Sequence, residues 1–299
     1  MNRLSRRNFI GTATTAVAVS LIDGPIVAAE PETLFGSQLY GWGQYYGRDG
    51  KRLEDHLDTV FTALRDAGYH YAEGSVDVVH PEENAAFAER LRRHGLRPIS
   101  LYTGGTFHTD IANRTVDNLV RAGEICAKAG FSVIVCNADP IGRDKTDPEL
   151  AIQARALSRL GAELKKRGIR LGLHQHTPEL RNKAHEFHQI FALTEAGTVD
   201  FYIDTHWLYR GGVLPMNALK RYSNRVVSWH LRQSRDGIWW EDLDSGDINY
   251  SIIADFAHKQ KLPRRFSVEL ALESDTKLTR NVVENHRRSL DYARKIFTA

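Results

Sequence analysis

His174, Asp204, His230 and Glu269 each close a short run of apolar residues, and each is a side-chain type that binds divalent cations. Imidazoles and carboxylates converging in a partly buried site must pair with one another or hold a cation. Because the set contains nitrogen and oxygen donors but no thiolate, it favours Mn, Fe, Co, Ni or Zn over Ca or Mg. Other polar residues stand at equivalent points: Gln38 and Trp42 after the first apolar run, then Glu73, Tyr102 and Asn137 after the next three. The fifth run closes in His174-Gln175-His176-Thr177-Pro178-Glu179, the sixth in Asp204-Thr205-His206-Trp207 and the seventh in His230-Leu231-Arg232. Any one of these has a plainer role, since a lone Asp before a turn is usually a helix cap. The inference rests on the set.

The elements that must position these residues follow from the spacing. Strands are predicted over 34–40, 69–73, 98–102, 132–136, 170–174, 200–204, 226–231 and 265–270. Between the first two, Leu53, Leu57, Val60, Phe61 and Leu64 recur at helical spacing over 52–67, and Gly68 ends the helix. Further helices are predicted over 81–94, 111–129, 148–167, 184–196, 216–222, 250–260 and 277–296, with Gly95, Gly130, Gly168 and Gly197 as stops. Eight strand–helix pairs in about 265 residues have the rhythm of a single (β/α)8 TIM barrel, an α/β fold. An open doubly wound sheet would carry Gly-x-Gly-x-x-Gly after its first strand, and none is there. In a barrel the chemistry sits where strands end, which is where the polar residues fall.

The 299-residue chain is 42% hydrophobic and 26% charged, which excludes a disordered, collagenous or membrane-embedded protein. A formal charge of +3, with Lys and Arg dispersed, argues against nucleic acid as a partner. At the start, Ser5-Arg6-Arg7-Asn8-Phe9-Ile10 precedes an apolar run from Gly11 to Ile22, and Val27-Ala28-Ala29 offers small residues for cleavage. This is the pattern of a secretory signal over 1–29, its apolar run too short to span a bilayer. The paired arginines resemble the twin-arginine export signal, which implies a periplasmic or otherwise exported protein with no membrane anchor after cleavage. That route carries folded proteins, often with a metal already loaded. The mature domain, 30–299, then carries 37 basic and 36 acidic side chains. Cys126 and Cys136 are expected as buried thiols rather than a disulfide. His185 and His188 lack a His-Glu-x-x-His pattern and are expected on a helix surface.

From residue 34 to 298 the sequence resembles the sugar phosphate isomerase/epimerase superfamily, the xylose isomerase-like TIM barrels. The resemblance rests on Gly36-Ser37-Gln38-Leu39-Tyr40, Gly68 to Glu73, His174 to Glu179, Tyr202 to Gly211, Val226 to Arg232 and Ser267-Val268-Glu269. It implies one divalent metal held at the ends of strands 5 to 8, by His174, Asp204, His230 and Glu269 in this chain. Two departures stand out. The family's epimerases carry Glu, as ligand and base, where this chain has His174. The family often places a substrate-binding His three residues after the Asp, whereas His206 here is two after it and Trp207 takes that place.

The chemistry implied is proton abstraction beside a ketone, with Glu269 or His174 as base and the metal stabilising an enediolate. Reprotonation gives an isomer or epimer, and loss of a β-substituent makes the enzyme a lyase or dehydratase. The expected substrate is a carbohydrate, a keto-sugar or oxidised glycoside. Substrate contacts are expected from Gln38, Trp42, Glu73, Tyr102, Asn137, His176, Glu179, His206, Arg232 and Glu241. Glu179 and Arg181 suit either sugar hydroxyls or a helix-start carboxylate with its salt-bridge partner. Arg232 suits either a substrate oxyanion or the charge of Asp204. Trp42, Tyr45, Tyr46, Trp239 and Trp240 are expected in loops on the active face. The competing readings are a sugar-binding barrel without turnover and an endonuclease IV-like hydrolase, the latter disfavoured by the near-neutral charge.

Overall fold

The computed structural model describes residues 32–298, so the predicted signal over 1–29 lies outside the described residues. Eight strands close into a parallel barrel: β1 (Leu34–Gln38), β2 (Tyr71–Ser75), β3 (Ser100–Gly105), β4 (Val133–Ala138), β5 (Arg170–Leu173), β6 (Asp200–Asp204), β7 (Val226–Leu231) and β8 (Arg265–Val268). Each strand bonds to its neighbours in sequence, and β8 closes on β1 with Leu34 opposite Arg265 and Ser37 opposite Val268. The helices are α1 (Leu39–Arg48), α2 (Leu57–Ala67), α3 (Glu83–Arg93), α4 (Ala112–Lys128), α5 (Asp147–Lys165), α6 (Thr177–Leu193), α7 (Thr205–Arg210), α8 (Pro215–Tyr222), α9 (Tyr250–Lys259) and α10 (Val282–Phe297). The (β/α)8 barrel read from the sequence is the fold, and Cys126 and Cys136 are buried free thiols.

Strand alternation builds two environments. Outward residues such as Phe35, Leu101, Ile134, Phe201, Trp229 and Phe266 join the apolar stripes of the helices in one large core. On α2 that stripe is Val60, Phe61 and Leu64, all with no exposure, each worth roughly 1.5–3 kcal/mol on burial. Inward residues are more polar. Below the strand ends the interior holds Tyr71, Tyr202, Ser228 and Ser267, all buried. Glycine makes room there: a Cβ on Gly36 would overlap the Tyr71 ring, and one on Gly172 would lie 2.9 Å from Tyr202 Cβ.

Three local features depart from the sequence reading. Strand 1 was predicted to reach Tyr40, but the chain turns into α1 at Leu39, with the Gln38 side chain accepting from the Tyr40 amide as N-cap. Gly41 hides this helix from a propensity reading, yet a Cβ there would lie 2.5 Å from the Leu270 carbonyl oxygen. Next, α6 begins at Thr177 rather than 184 and bends at Arg181–Ala184, where Asn182, Lys183 and Ala184 take φ of 48°, 58° and 59°. Left-handed backbone at non-glycine residues costs roughly 1–2 kcal/mol each, so nothing in the composition announces it. Finally, α7 and a hairpin pairing Ser234–Arg235 with Ile238–Trp239 were not expected.

Candidate metal centre

The four side chains singled out first do meet. One ligand atom from each of His174, Asp204, His230 and Glu269 lies within 4.8 Å of all the others, and all four residues are buried. They stand on adjacent strands, His174 just beyond β5, Asp204 at the end of β6, His230 within β7 and Glu269 just beyond β8. His174 Nε2 is 3.4 Å from Asp204 Oδ2, while His230 Nδ1 is 3.8 Å from that oxygen and 3.2 Å from Glu269 Oε2.

Each ligand is aimed by a partner on its far side. Asp204 Oδ1 accepts from the amides of His206 and Trp207, capping α7 and leaving Oδ2 turned inward. Glu73 Oε1 lies 2.7 Å from His230 Nε2. A carboxylate only accepts, so Nε2 carries a hydrogen toward Glu73 and Nδ1 is the ring atom left facing the cluster, able to ligate once its own proton is displaced. Asn137 Oδ1 lies 2.7 Å from His174 Nδ1 and accepts the Tyr102 hydroxyl at 2.7 Å, so Nε2 of His174 faces in. His174 Nε2, Asp204 Oδ2 and His230 Nδ1 are buried and make no hydrogen bond. Inward lone pairs beside two carboxylates call for positive charge, and these residues fit a divalent metal ion.

Proton affinities register the same demand. Burial opposes charge on His230, but Glu73 and Glu269 overcome it and push its pKa up to about 10. Burial likewise opposes the charge on Asp204, yet His174 and Arg232 hold its carboxyl at about 2. Glu269 sits well below the usual carboxylate range, since Arg232 and His230 outweigh its burial. For His174 burial wins and the pKa falls.

A floor of hydroxyls supports the cluster. Besides His230, Glu73 accepts from Ser100 Oγ at 2.6 Å, Tyr202 OH at 2.7 Å and Ser267 Oγ at 3.3 Å. The sequence reading missed these three residues. Their signal was period two: Ser100, Tyr202 and Ser267 lie two residues before Tyr102, Asp204 and Glu269, on the same inward face one layer down.

Above the cluster opens a cavity of about 880 Å³, reached by His174, His230 and Glu269 and by four expected substrate contacts, Gln38, Glu73, Tyr102 and His176. Burial, then the neighbouring His174, lowers the pKa of His176 to about 3, so its ring is neutral.

The other expected contacts do other work. Trp42 is buried on α1, donating to Ser37 Oγ at 3.0 Å and stacked on His286, so it packs the core. Tyr45 and Tyr46 also belong to α1, where Tyr45 takes a hydrogen bond from Asn285 and Tyr46 stacks on His56. Glu241 is fully buried but accepts from the Thr279 amide at 2.8 Å and pairs with Arg280 at 2.9 Å, tying down the segment before α10. Glu179 is the helix-start carboxylate, accepting from the His176 amide at 2.8 Å, while Arg181 pairs with Asp144 instead, at 3.5 Å. Asn137 lies behind His174 and orients it. His206 is buried with no hydrogen-bond partner on either ring nitrogen, near Tyr209 and Trp239. Arg232 neutralises the cluster, its Nη2 2.7 Å from Glu269 and 3.7 Å from Asp204, its guanidinium over the rings of Trp239 and Trp207. Trp240 lies under Arg235. His185 bonds Asp147 and His188 bonds the Tyr222 hydroxyl, as helix-surface residues do.

Comparison with known proteins adds five findings. Residues 61–296 match the family described as xylose isomerase-like TIM barrel. The inosose dehydratase of Bacillus thuringiensis is 21% identical over 198 residues, covering 62% of this chain and 66% of that protein. The inosose dehydratase of Clostridium perfringens is 32% identical over 82 residues, and the match spans 27% of this chain and 28% of that protein. Among solved structures, a sugar phosphate isomerase/epimerase from Parabacteroides distasonis superposes with a TM-score of 0.70 at 20% identity, covering 89% of this chain and 94% of that one. A 3-keto-D-glucoside 4-epimerase from E. coli gives 0.63 at 14% identity, covering 88% and 100%.

Proposed function

The chain belongs to the xylose isomerase-like TIM barrel family, and on that premise we propose that it is a divalent-metal-dependent isomerase, epimerase or dehydratase acting on a keto-sugar. The observation that carries this reading is the aiming of the cluster: His230 and His174 are tethered from behind by Glu73 and Asn137, so that unpartnered inward atoms face one point. A divalent ion there supplies Lewis acidity, stabilising the enediolate left when a proton departs beside a ketone. Mn, Fe, Co, Ni or Zn suits the donor set better than Mg.

Glu269, on the cavity wall and ionised throughout the neutral range, accepts the proton. Arg232 holds that carboxylate in place at 2.7 Å. Tyr102 and Gln38 stand where sugar hydroxyls pass, and the neutral imidazole of His176 is available on the β5 side to exchange a proton with the substrate. Asp204 does not line the cavity and Glu73 is taken up by its hydroxyl floor, so Glu269 is the clustered carboxylate placed to act as base. That asymmetry supports elimination more than a symmetric two-carboxylate epimerisation. At the rim, Lys51 and Arg52 each pair with a nearby carboxylate, which supports an unphosphorylated substrate. The signal pattern over 1–29 supports a periplasmic site of action.

A metal-free sugar-binding barrel is the second reading, favoured by Arg232, a resident cation that already answers part of the cluster's charge. One experiment separates the two. Protein loaded with Mn(II) or Co(II) is incubated in deuterated water with free ketoses and 3-keto-glycosides. Deuterium beside the carbonyl is expected, and it should vanish in Glu269→Gln; binding of sugars without exchange by the loaded protein would leave the second reading.

A further inference from the structure

The cavity is larger than the chemistry needs. At about 880 Å³ it lies near the top of the roughly 300–1,000 Å³ typical of small-molecule sites, and a single sugar ring over the cluster would leave much of it empty. The metal-capable residues occupy only the β5 to β8 sector of the mouth. Across from them, on the segments that follow β1 and β2, the lining holds an apolar group, Leu39, Leu53, Leu57 and Phe87 with Tyr40 beside them. Mixed with it are Ser75, a Gln44 bonded to the Leu272 backbone, and the charged Lys51, Arg52 and Glu54. Leu53, Leu57 and Phe87 pack against the core on one side and are half-buried, and Tyr40 is 57% exposed, so part of this apolar surface is left facing the cavity. The wall is also built closely. Gly74, at the end of β2, lines the cavity where a Cβ would lie 2.8 Å from Phe87 Cζ, so only glycine lets that ring lie against the strand end.

We infer that this sector is a second subsite, which takes an apolar aglycone carried by the sugar that reacts at the cluster. The substrate class is therefore a keto-glycoside with an aliphatic or aromatic substituent, rather than a free ketose. The inference rests on the keto-sugar reading of the same site. A sugar ring presents hydroxyls that suit Tyr102, Gln38 and His176, whereas nothing among Leu53, Leu57 and Phe87 can hydrogen-bond a hydroxyl. Placing polyol carbons there would strip water from their oxygens uncompensated, while a phenyl or alkyl group would release water from both surfaces. The rim is balanced in charge, with Lys51 beside Asp49 and Arg52 beside Glu54 at 3.6 Å each in exposed pairs.

The test uses protein loaded with Mn(II) and three probes: 3-keto-D-glucose, its methyl β-glycoside and its phenyl β-glycoside. Phenyl should exceed methyl in kcat/KM by roughly 10-fold or more. Leu57→Asp and Leu53→Asp, at half-buried positions on the cavity wall, should shrink that advantage toward unity in variants that melt near the parent. Equal kcat/KM for the methyl and phenyl probes, or an advantage that survives both substitutions, overturns the subsite while the keto-sugar reading stands. If no probe turns over or exchanges its proton, that reading fails by itself. The subsite is then judged by calorimetric binding of phenyl against methyl β-D-glucoside: tighter binding of phenyl, lost in Leu57→Asp, supports it, and equal binding overturns it.

Discussion

Two polar layers sit inside the barrel, one residue pair apart along the strands, and they differ in a way that separates scaffold from site. In the lower layer, the hydroxyls of Tyr71, Tyr202 and Ser267 bond to one another, and Tyr202, Ser267 and Ser100 donate to Glu73. No side-chain atom of these residues is buried without a partner. In the upper layer, His174 Nε2, Asp204 Oδ2 and His230 Nδ1 have none. Unmade hydrogen bonds in a buried site cost roughly 1–3 kcal/mol each, so a fold that satisfies one layer and leaves the next open holds the open one for something else to complete. Glu73 belongs to both, resting on hydroxyls and steering His230.

The sharpest break between the layers is expected at Asp204, whose two oxygens serve different ends. Asp204→Asn keeps a side-chain oxygen to cap α7, because Asn caps as well as Asp, but removes the inward charge. Metal affinity, read by chelator competition, should fall by more than the roughly 10–100-fold that loss of an outer partner costs, while metal-free protein keeps its cap and melts only modestly lower, having lost the charge that answers His174 and Arg232. Melting and affinity lost together would make Asp204 chiefly a cap. Glu73→Gln comes next. An amide donating to His230 Nε2 would force the hydrogen onto Nδ1 and turn a donor toward the metal site. A fall of roughly 10–100-fold in affinity is expected, with the same metal still bound. Unchanged affinity would confine Glu73 to the lower layer.

How much of this was legible in the sequence follows the same division. The barrel could be read because its outward face is a repeating apolar pattern, and His174, Asp204, His230 and Glu269 could be read because each closes such a run. Residues whose role depends on which way a side chain turns after the strand ends could not. Trp42 and Glu241 looked like sugar contacts by their position near strand ends, but α1 carries Trp42 onto His286, and Glu241 is claimed by Thr279 and Arg280, distant in sequence. Glu73 was legible as a residue of the cavity but not as the support of His230, because its hydroxyl partners come from β3, β6 and β8 and no local pattern joins them.

Glu241 offers the control in which both layers should stay silent. It is a buried carboxylate like Glu73, and its partners Thr279, Arg280 and Asn285 anchor the approach to α10. Glu241→Gln should cost about 2 kcal/mol in denaturant unfolding, the price of weakening a buried charge-assisted bond, with metal affinity unchanged. A change in affinity would mean that the C-terminal segment reports to the cluster.

An effect confined to one pH range is expected at Glu179, buried behind the cluster and accepting a hydrogen bond from the His176 amide at 2.8 Å. Burial pushes its pKa up to about 7, against about 4.3 in an unfolded chain. Between those values the folded protein keeps a proton that the unfolded chain has released, so this group's contribution to stability is whole below about pH 4, declines as pH rises, and is spent above about pH 7. Gln at this position keeps the accepting oxygen and carries no charge to bury. Parent and Glu179→Gln should therefore unfold alike at pH 4, with the variant ahead at pH 8 by up to about 3.7 kcal/mol, the worth of the whole shift, measured on metal-free protein so that ligand protonation cancels between the two. A constant gap across that range would show that the Glu179 carboxyl ionises as readily as an exposed one, and that the space behind His174 is wetter than its lining implies.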